Sequence, residues 1–145
     1  MRIFLDENLS EFVADALNSL DRGYFIGIEV VSTKKAIRAA ATDEEIIPKI
    51  GQEQGVLITR DYNIKKTRSK YQLCREHQIG VIFIRLPKNQ NRHWEIVKVL
   101  IKHWEETIST CSSKKKPFAL SADAARIETD AMRKARAKHS GFLLF

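Results

Sequence analysis

The sequence predicts an α/β protein, a three-layer α/β/α sandwich around a central, mostly parallel sheet. Three observations carry this. Short apolar runs recur at Arg2–Leu5, Val56–Thr59 and Val81–Ile84, and each fits a strand buried on both faces. Segments with apolar residues at helical spacing lie between them, the alternation that gives parallel sheets with helices on both faces. Two of the strands run into aspartate, Asp6 and Asp61. That would place both acids at the carboxyl edge of the sheet, where α/β proteins bind ligands.

Arg2 to Leu5 is the first strand. Ser10 caps, or lies within the start of, a helix to about Leu20, with Phe12, Val13, Ala16, Leu17 and Leu20 on one face. Asp21-Arg22-Gly23 ends it. Part of Tyr24–Ser32, rich in β-branched and aromatic residues, forms a second strand. Thr33 to Ala41 fits a short helix or a loop. Thr42 or Asp43 caps the next helix, whose first turn holds Asp43, Glu44 and Glu45 against the positive end of its dipole. Pro48 implies a start near Ile47 or a kink, because proline suits only the first turn. Gly51 and Gly55 bracket its end.

Val56–Thr59 is a buried strand, Arg68–His77 a helix, and Gly80 opens the strand Val81–Ile84. Asn91 to Ile108 reads as one long helix, with Trp94, Val97, Ile101, Trp104 and Ile108 at spacings of three and four. Both tryptophans are expected in the core. Ser109–Lys116 has linker composition, Pro117–Leu120 suits an edge strand, and Ala124–Lys138 has helix-forming composition. Gly141–Phe145 is an apolar tag expected to dock on a partner or a second subunit. The expected division is a domain over residues 1–120 and a basic tail over 121–145.

The chain has 145 residues, 43% of them apolar and 30% charged, which suits one domain with a sizeable core. No stretch reaches the roughly 18 apolar residues of a membrane span. Asp6 and Glu7 interrupt the N-terminus before a signal-peptide core can develop. Two cysteines without CxxC spacing, Cys74 and Cys111, read as reduced thiols, and the expected location is cytoplasmic. Net charge is +7, unevenly spread: residues 1–112 hold 17 basic and 15 acidic side chains, residues 113–145 hold 8 and 3. Such basicity favours an anionic partner, although ordinary solubility also tolerates it.

The chemistry lies in the acids. Asp6, Asp61 and the helix-borne Asp43 would meet at one sheet edge. Three carboxylates at close range repel unless a cation is shared between them. Hard divalent ions take oxygen ligands and can activate water and neutralise charge on a scissile phosphate. Each acid has a plain alternative as a turn former or helix cap, and Glu7 and Glu44 stay ambiguous. Arg60, Lys65, Lys66, Arg68 and Lys70 follow, with Tyr62 and Tyr71 interleaved and Asp61 the one acid among them. The set suits phosphate contacts and base stacking, or else a solvated helix face. The four histidines lack ligand spacing, and no P-loop, GxGxxG or nucleophile elbow is present.

The motifs Ile3-Phe4-Leu5-Asp6-Glu7-Asn8-Leu9, Asp43-Glu44-Glu45-Ile46 and Val56-Leu57-Ile58-Thr59-Arg60-Asp61 resemble the PIN-like domains of VapC-type toxins. The segment Val81–Pro87 and the Trp94 helix are similar to one small branch of that group. The resemblance covers about residues 1–120. It implies a Mg²⁺- or Mn²⁺-dependent ribonuclease acting on single strands and restrained by a cognate antitoxin, with a homodimer among the expected assemblies. Asp6, Asp43 and Asp61 would be its catalytic and metal-binding acids. The usual fourth acid has no counterpart between Glu29 and Ala41, where Glu29 falls within a strand. A non-catalytic RNA- or protein-binding module of the same fold is the alternative. A phosphoacceptor receiver domain is a third reading, weakened by Arg85 where receivers carry lysine.

Overall fold

The structure, a computed structural model, describes the backbone of residues 1–60 and 64–140, and their side chains except those of residues 64–67, 130, 137, 139 and 140. Six strands form one sheet in the order β2-β1-β3-β4-β5-β6. They are β1 (Arg2–Leu5), β2 (Glu29–Ser32), β3 (Val56–Arg60), β4 (Gly80–Ile84), β5 (Phe118–Ala122) and β6 (Ile127–Glu128). The first five pair in parallel, and β6 joins β5 antiparallel. The helices are α1 (Glu11–Asp21), α2 (Thr33–Ala36), α3 (Asp43–Gln52), α4 (Ile64–Glu76), α5 (His93–Lys102), α6 (Trp104–Ser113) and α7 (Asp130–Ser140).

Alternation along the strands builds two cores. Ile3, Leu5, Ile58 and Ile82 face α1, α5 and α6, which contribute Leu17, Ile96, Leu100 and Trp104. Phe4, Leu57, Val81 and Phe83 face the other way, against Ile46, Ile47 and Ile50 of α3 and Cys74 of α4. Because side chains alternate with period two, the residues that follow Phe4 and Leu57 by two, Asp6 and Thr59, share this second face. The three-layer arrangement is therefore the one the sequence predicts.

Local chemistry fixes the element ends. Ser10 accepts a hydrogen bond from the Phe12 N–H at the start of α1. Thr42 and Glu45 form a reciprocal capping box at α3. At the edge strand β2, the Asn18 amide donates to the Val30 carbonyl at 2.7 Å and accepts from the Val30 N–H at 2.8 Å. That occupies backbone groups an edge would otherwise present to another chain.

Several expectations are corrected. The long helix of 91–108 breaks at His103, whose φ of −102° and ψ of 10° separate α5 from α6. The break changes which residues face inward. Trp104 is buried and donates from Nε1 to Asp21 Oδ1 at 2.7 Å, whereas Trp94 is 68% exposed. The linker composition of 109–116 gives way to the last turns of α6, where Ile108 and Cys111 pack into the core. α3 starts at Asp43 and carries Pro48 within it. β5 is interior, with β6 beyond it, so the sheet continues past residue 120. The apolar tag, residues 141–145, lies outside the described residues.

Candidate active site

Asp6 follows β1 and its backbone N–H donates to the Ile58 carbonyl of β3 at 3.0 Å, extending the pairing of these neighbouring strands by one residue. The turn that follows is closed by the Leu9 N–H on the Asp6 carbonyl, and Leu9 is anchored in the core. Asp6 is thereby held at the carboxyl edge of the sheet, on the α3 and α4 side. Thr59 lies fully buried beside it on β3 and donates its hydroxyl to Asp6 Oδ2.

Two helices complete the cluster. α3 delivers Asp43 at its first residue, and α4 delivers Lys70. The Lys70 ammonium stands 3.2 Å from Asp6 Oδ2, 3.3 Å from Asp43 Oδ1 and 3.2 Å from Thr59 Oγ1. Lys70 is buried, as is Asp6; Asp43 is more open, at 28% side-chain exposure. Burial pushes the Asp6 carboxyl upward. The Lys70 charge, the hydrogen bonds from Thr59 and Lys70 and the Asn8 N–H outweigh it, so Asp6 sits below the ordinary carboxylate range. Burial likewise pushes the Lys70 ammonium downward, but Asp6 and Asp43 hold it above the usual lysine value. The cluster is a charged one: two carboxylates sharing one cation.

The expected site residues distribute unevenly around this cluster. Asp6 and Asp43, distant in sequence, converge on one point. Asp61 lies outside the described residues, as does Tyr62, and the side chains of Lys65 and Lys66 are likewise not described. Arg60 is partly buried and donates to the Asn91 carbonyl at 2.7 Å. Arg68 is exposed. Lys70, expected to hold phosphate or else to lie on a solvated face, is instead buried between Asp6 and Asp43. It shares the inward face of α4 with Leu73 and Cys74, and the spacing Lys70-Leu73-Cys74-His77 is the signal that could have shown this. Thr59 is the residue sequence reasoning passed over. Its place two beyond the inward Leu57 was the available sign. Glu7 and Glu44 are exposed; Glu7 accepts from the Ala40 N–H at 2.9 Å, tying the turn after Asp6 to the loop before α3.

Carboxylate oxygens are the donors that a hard divalent ion takes, and Asp6 and Asp43 already face a common cation. In that respect the residues fit such an ion. Among the described residues no group of three His, Cys, Asp or Glu side chains is close enough to hold a metal. The described donor set is therefore two carboxylates, with an ammonium between them.

A parallel α/β sheet with two acids gathered at its carboxyl edge is the setting in which such folds bind ligands. The PIN-like domain family model matches residues 1–86, more than half of the chain, and the chain belongs to that family. The matched span covers β1 to β4 and so includes Asp6, Asp43, Thr59 and Lys70. No curated protein and no solved structure matches the chain. Among the described residues no helix is long and apolar enough to cross a membrane.

Proposed function

We propose that the protein is a divalent-metal-dependent ribonuclease acting on single strands, with Asp6, Asp43 and Asp61 as its metal-binding and catalytic acids. One observation carries the reading: Asp6 and Asp43 turn their carboxylates to the same cation at the carboxyl edge of a PIN-like sheet. Asp61 is assigned as third ligand from its position directly after β3, next to β1. A bound Mg²⁺ or Mn²⁺ would activate water and neutralise charge at the scissile phosphate. The chain's own residues prepare for this. Thr59 fixes the Asp6 carboxylate through its hydroxyl. The Lys70 charge helps to hold the Asp6 carboxyl below the ordinary carboxylate range, and a metal ligand must be ionised. Arg60, directly before Asp61, and Lys65, Lys66 and Arg68 after it would hold phosphates.

Asp6→Asn tests the proposal. The variant should fold, because asparagine can still accept from Thr59, and should lose Mn²⁺-dependent cleavage of single-stranded RNA. Cleavage retained by the purified variant would reject the assignment. The finer reading, the toxin of a toxin–antitoxin pair, is supported by the motif resemblance alone. It predicts growth arrest on expression, relieved by Asp6→Asn.

A second reading is favoured by the position of Lys70. An ammonium between two carboxylates can occupy the place of a metal ion and partly neutralise them, leaving a non-catalytic module that binds RNA or protein. RNA binding without metal-dependent turnover, and no Mn²⁺ binding by calorimetry, would select it over the ribonuclease.

A further inference from the structure

The basic quarter of the chain has a defined place. α7 lies against β5, and between α7 and α4 a cleft of about 610 Å³ opens over β4 and β5. This is the sheet face that carries the acid cluster, on the opposite side of α4. Arg68 and Tyr71 of α4 form one wall, and Arg133 and Lys134 of α7 the other. Arg85 after β4 and Lys114 after α6 complete the set. Five cations thus come from four separate parts of the chain. Among the described residues that line the cleft there is no Asp or Glu. A solvated helix face would draw its charges from one element; this arrangement is made by the fold.

The cations are supported and accompanied by aromatic surface. Arg85 donates from Nε to Ser121 Oγ at 2.7 Å, and its guanidinium stands 5.9 Å from the Phe83 ring centroid. Tyr71 is 37% exposed, and the Arg75 guanidinium lies 6.0 Å from its ring centroid. Arg75 belongs to a second hollow of about 620 Å³, which shares Arg68, Tyr71 and Pro117 with the first and holds one acid, Glu76. The cationic surface therefore continues around the outer side of α4.

We infer that the α4–α7 cleft binds single-stranded RNA, with phosphates on the five cations and a base stacked on Tyr71. Cations on two facing walls suit the repeated charge of a phosphate backbone, and a tyrosine beside arginine offers a planar surface that suits any base. An acidic peptide would match the charge but would have no use for that surface. The cleft's volume lies in the roughly 300–1,000 Å³ range of pockets that enclose a small ligand, which suits a nucleotide or two of a single strand. Two of its four cation-bearing segments lie beyond the residues matched by the family model. The inference takes RNA as ligand from the proposed function.

The test is fluorescence anisotropy of the full chain with a labelled oligouridine 12-mer in EDTA, so that binding is read without cleavage. For single strands each phosphate contact contributes about −0.7 to the slope of log affinity against log salt. Arg133→Ala/Lys134→Ala should weaken binding at least tenfold at low salt and make the slope shallower by about 1.4. Tyr71→Ala should weaken it roughly tenfold with the slope unchanged. Lys114→Glu, outside α7, repeats the charge test if melting shows that the double variant loosens α7. Absence of RNA binding by the wild type, or unchanged affinity in the folded charge variants, overturns the inference. Equal competition by a polyglutamate peptide of matched charge also overturns it, in favour of an acidic protein partner. Cleft-dependent binding by a wild type that never cleaves would sustain this inference while the ribonuclease reading fell.

Discussion

Replacing Lys70 by methionine removes the charge at the centre of the acid cluster while keeping most of the stem that packs beside Cys74. The ammonium interacts with carboxylate oxygens at 3.2 and 3.3 Å. At an effective dielectric near 20 each attraction is about 5 kcal/mol, much of it offset by the desolvation of the three groups. The larger consequence is what remains: a buried Asp6 with Thr59 as its neighbour and no cation. Breaking a buried pair in this way typically costs about 3–5 kcal/mol. For a chain of this size 1 kcal/mol shifts the melting temperature by roughly 2–4 °C, so a fall of about 10 °C is expected at pH 7.

The pH dependence carries a sign that distinguishes this account from loss of packing. In the wild type Asp6 is held below its ordinary value, so its contribution is present above the unfolded carboxylate value and lost as pH falls through the folded one. Lys70 is held above its ordinary value, so its contribution is present below that value and lost only as pH rises through the folded one. Between these limits the pair adds no slope. In Lys70→Met the burial of Asp6 acts with its main opponent gone and should raise the carboxyl above its unfolded value. Mild acid should then stabilise the variant relative to pH 7, the reverse of the wild type. Adding Asp6→Asn should restore most of the lost stability. Denaturant melts from pH 4 to 8 measure all three proteins. A Lys70→Met variant within about 1 kcal/mol of wild type, with no reversal in acid, would refute the shared-cation description.

The two tryptophans should differ sharply. Trp104→Ala should cost about 3–5 kcal/mol, since it empties core volume and removes a hydrogen bond to buried Asp21, whereas Trp94→Ala should cost under about 1 kcal/mol; urea melts compare them. Gly80→Ala should destabilise by about 1–3 kcal/mol, because a Cβ there would run into the Phe118 ring, and Gly80→Ala/Phe118→Leu should regain part of that in the same melts. Burial pushes the thiols of Cys74 and Cys111 up to about 12, so both should resist iodoacetamide at pH 8 in the folded chain and react once denatured, as mass spectrometry would read.

What could be read from the sequence follows from what period and composition report. The runs at Ile3–Leu5, Val56–Ile58 and Val81–Ile84 are apolar at every position because both faces are covered, and that pattern identifies parallel interior strands. The start of α3 was legible because a cap at Thr42 or Asp43 and the first-turn acids are neighbours in sequence, whereas the reciprocal bonding of Thr42 with Glu45 emerges from the structure. The break at His103 was not. The apolar spacing continues through it, and the change of direction comes from packing: Trp104 turns in to meet Asp21, 83 residues away along the chain. Trp94, on the far side of the break, loses the alignment that would have buried it. Convergence of Asp6 and Asp43 could be anticipated from topology, since a parallel sheet gathers its strand ends. That Lys70 stands between them could not be read from charge counts, which class a lysine with its neighbours Arg68 and Lys66. Its position on the same helical face as Leu73 and Cys74 is the feature that separates it.

That separation also explains how one helix serves two surfaces. Residues 70 and 74 are a turn apart and face the α3 side of the sheet, while residue 71 stands about 100° around the helix from 70 and residue 68 about 160° in the same direction. Arg68 and Tyr71 therefore leave the acid cluster and reach the cleft beneath α7, although they are neighbours of Lys70 in sequence. The basic run after Asp61 thus holds cations of two kinds: a buried one beside the acids, and exposed ones that join the basic end of the chain. A substitution at Lys70 should change stability and the state of Asp6, whereas one at Arg68 should change the affinity for anions. The same net charge is removed in each case, and the side of α4 it leaves decides which property moves.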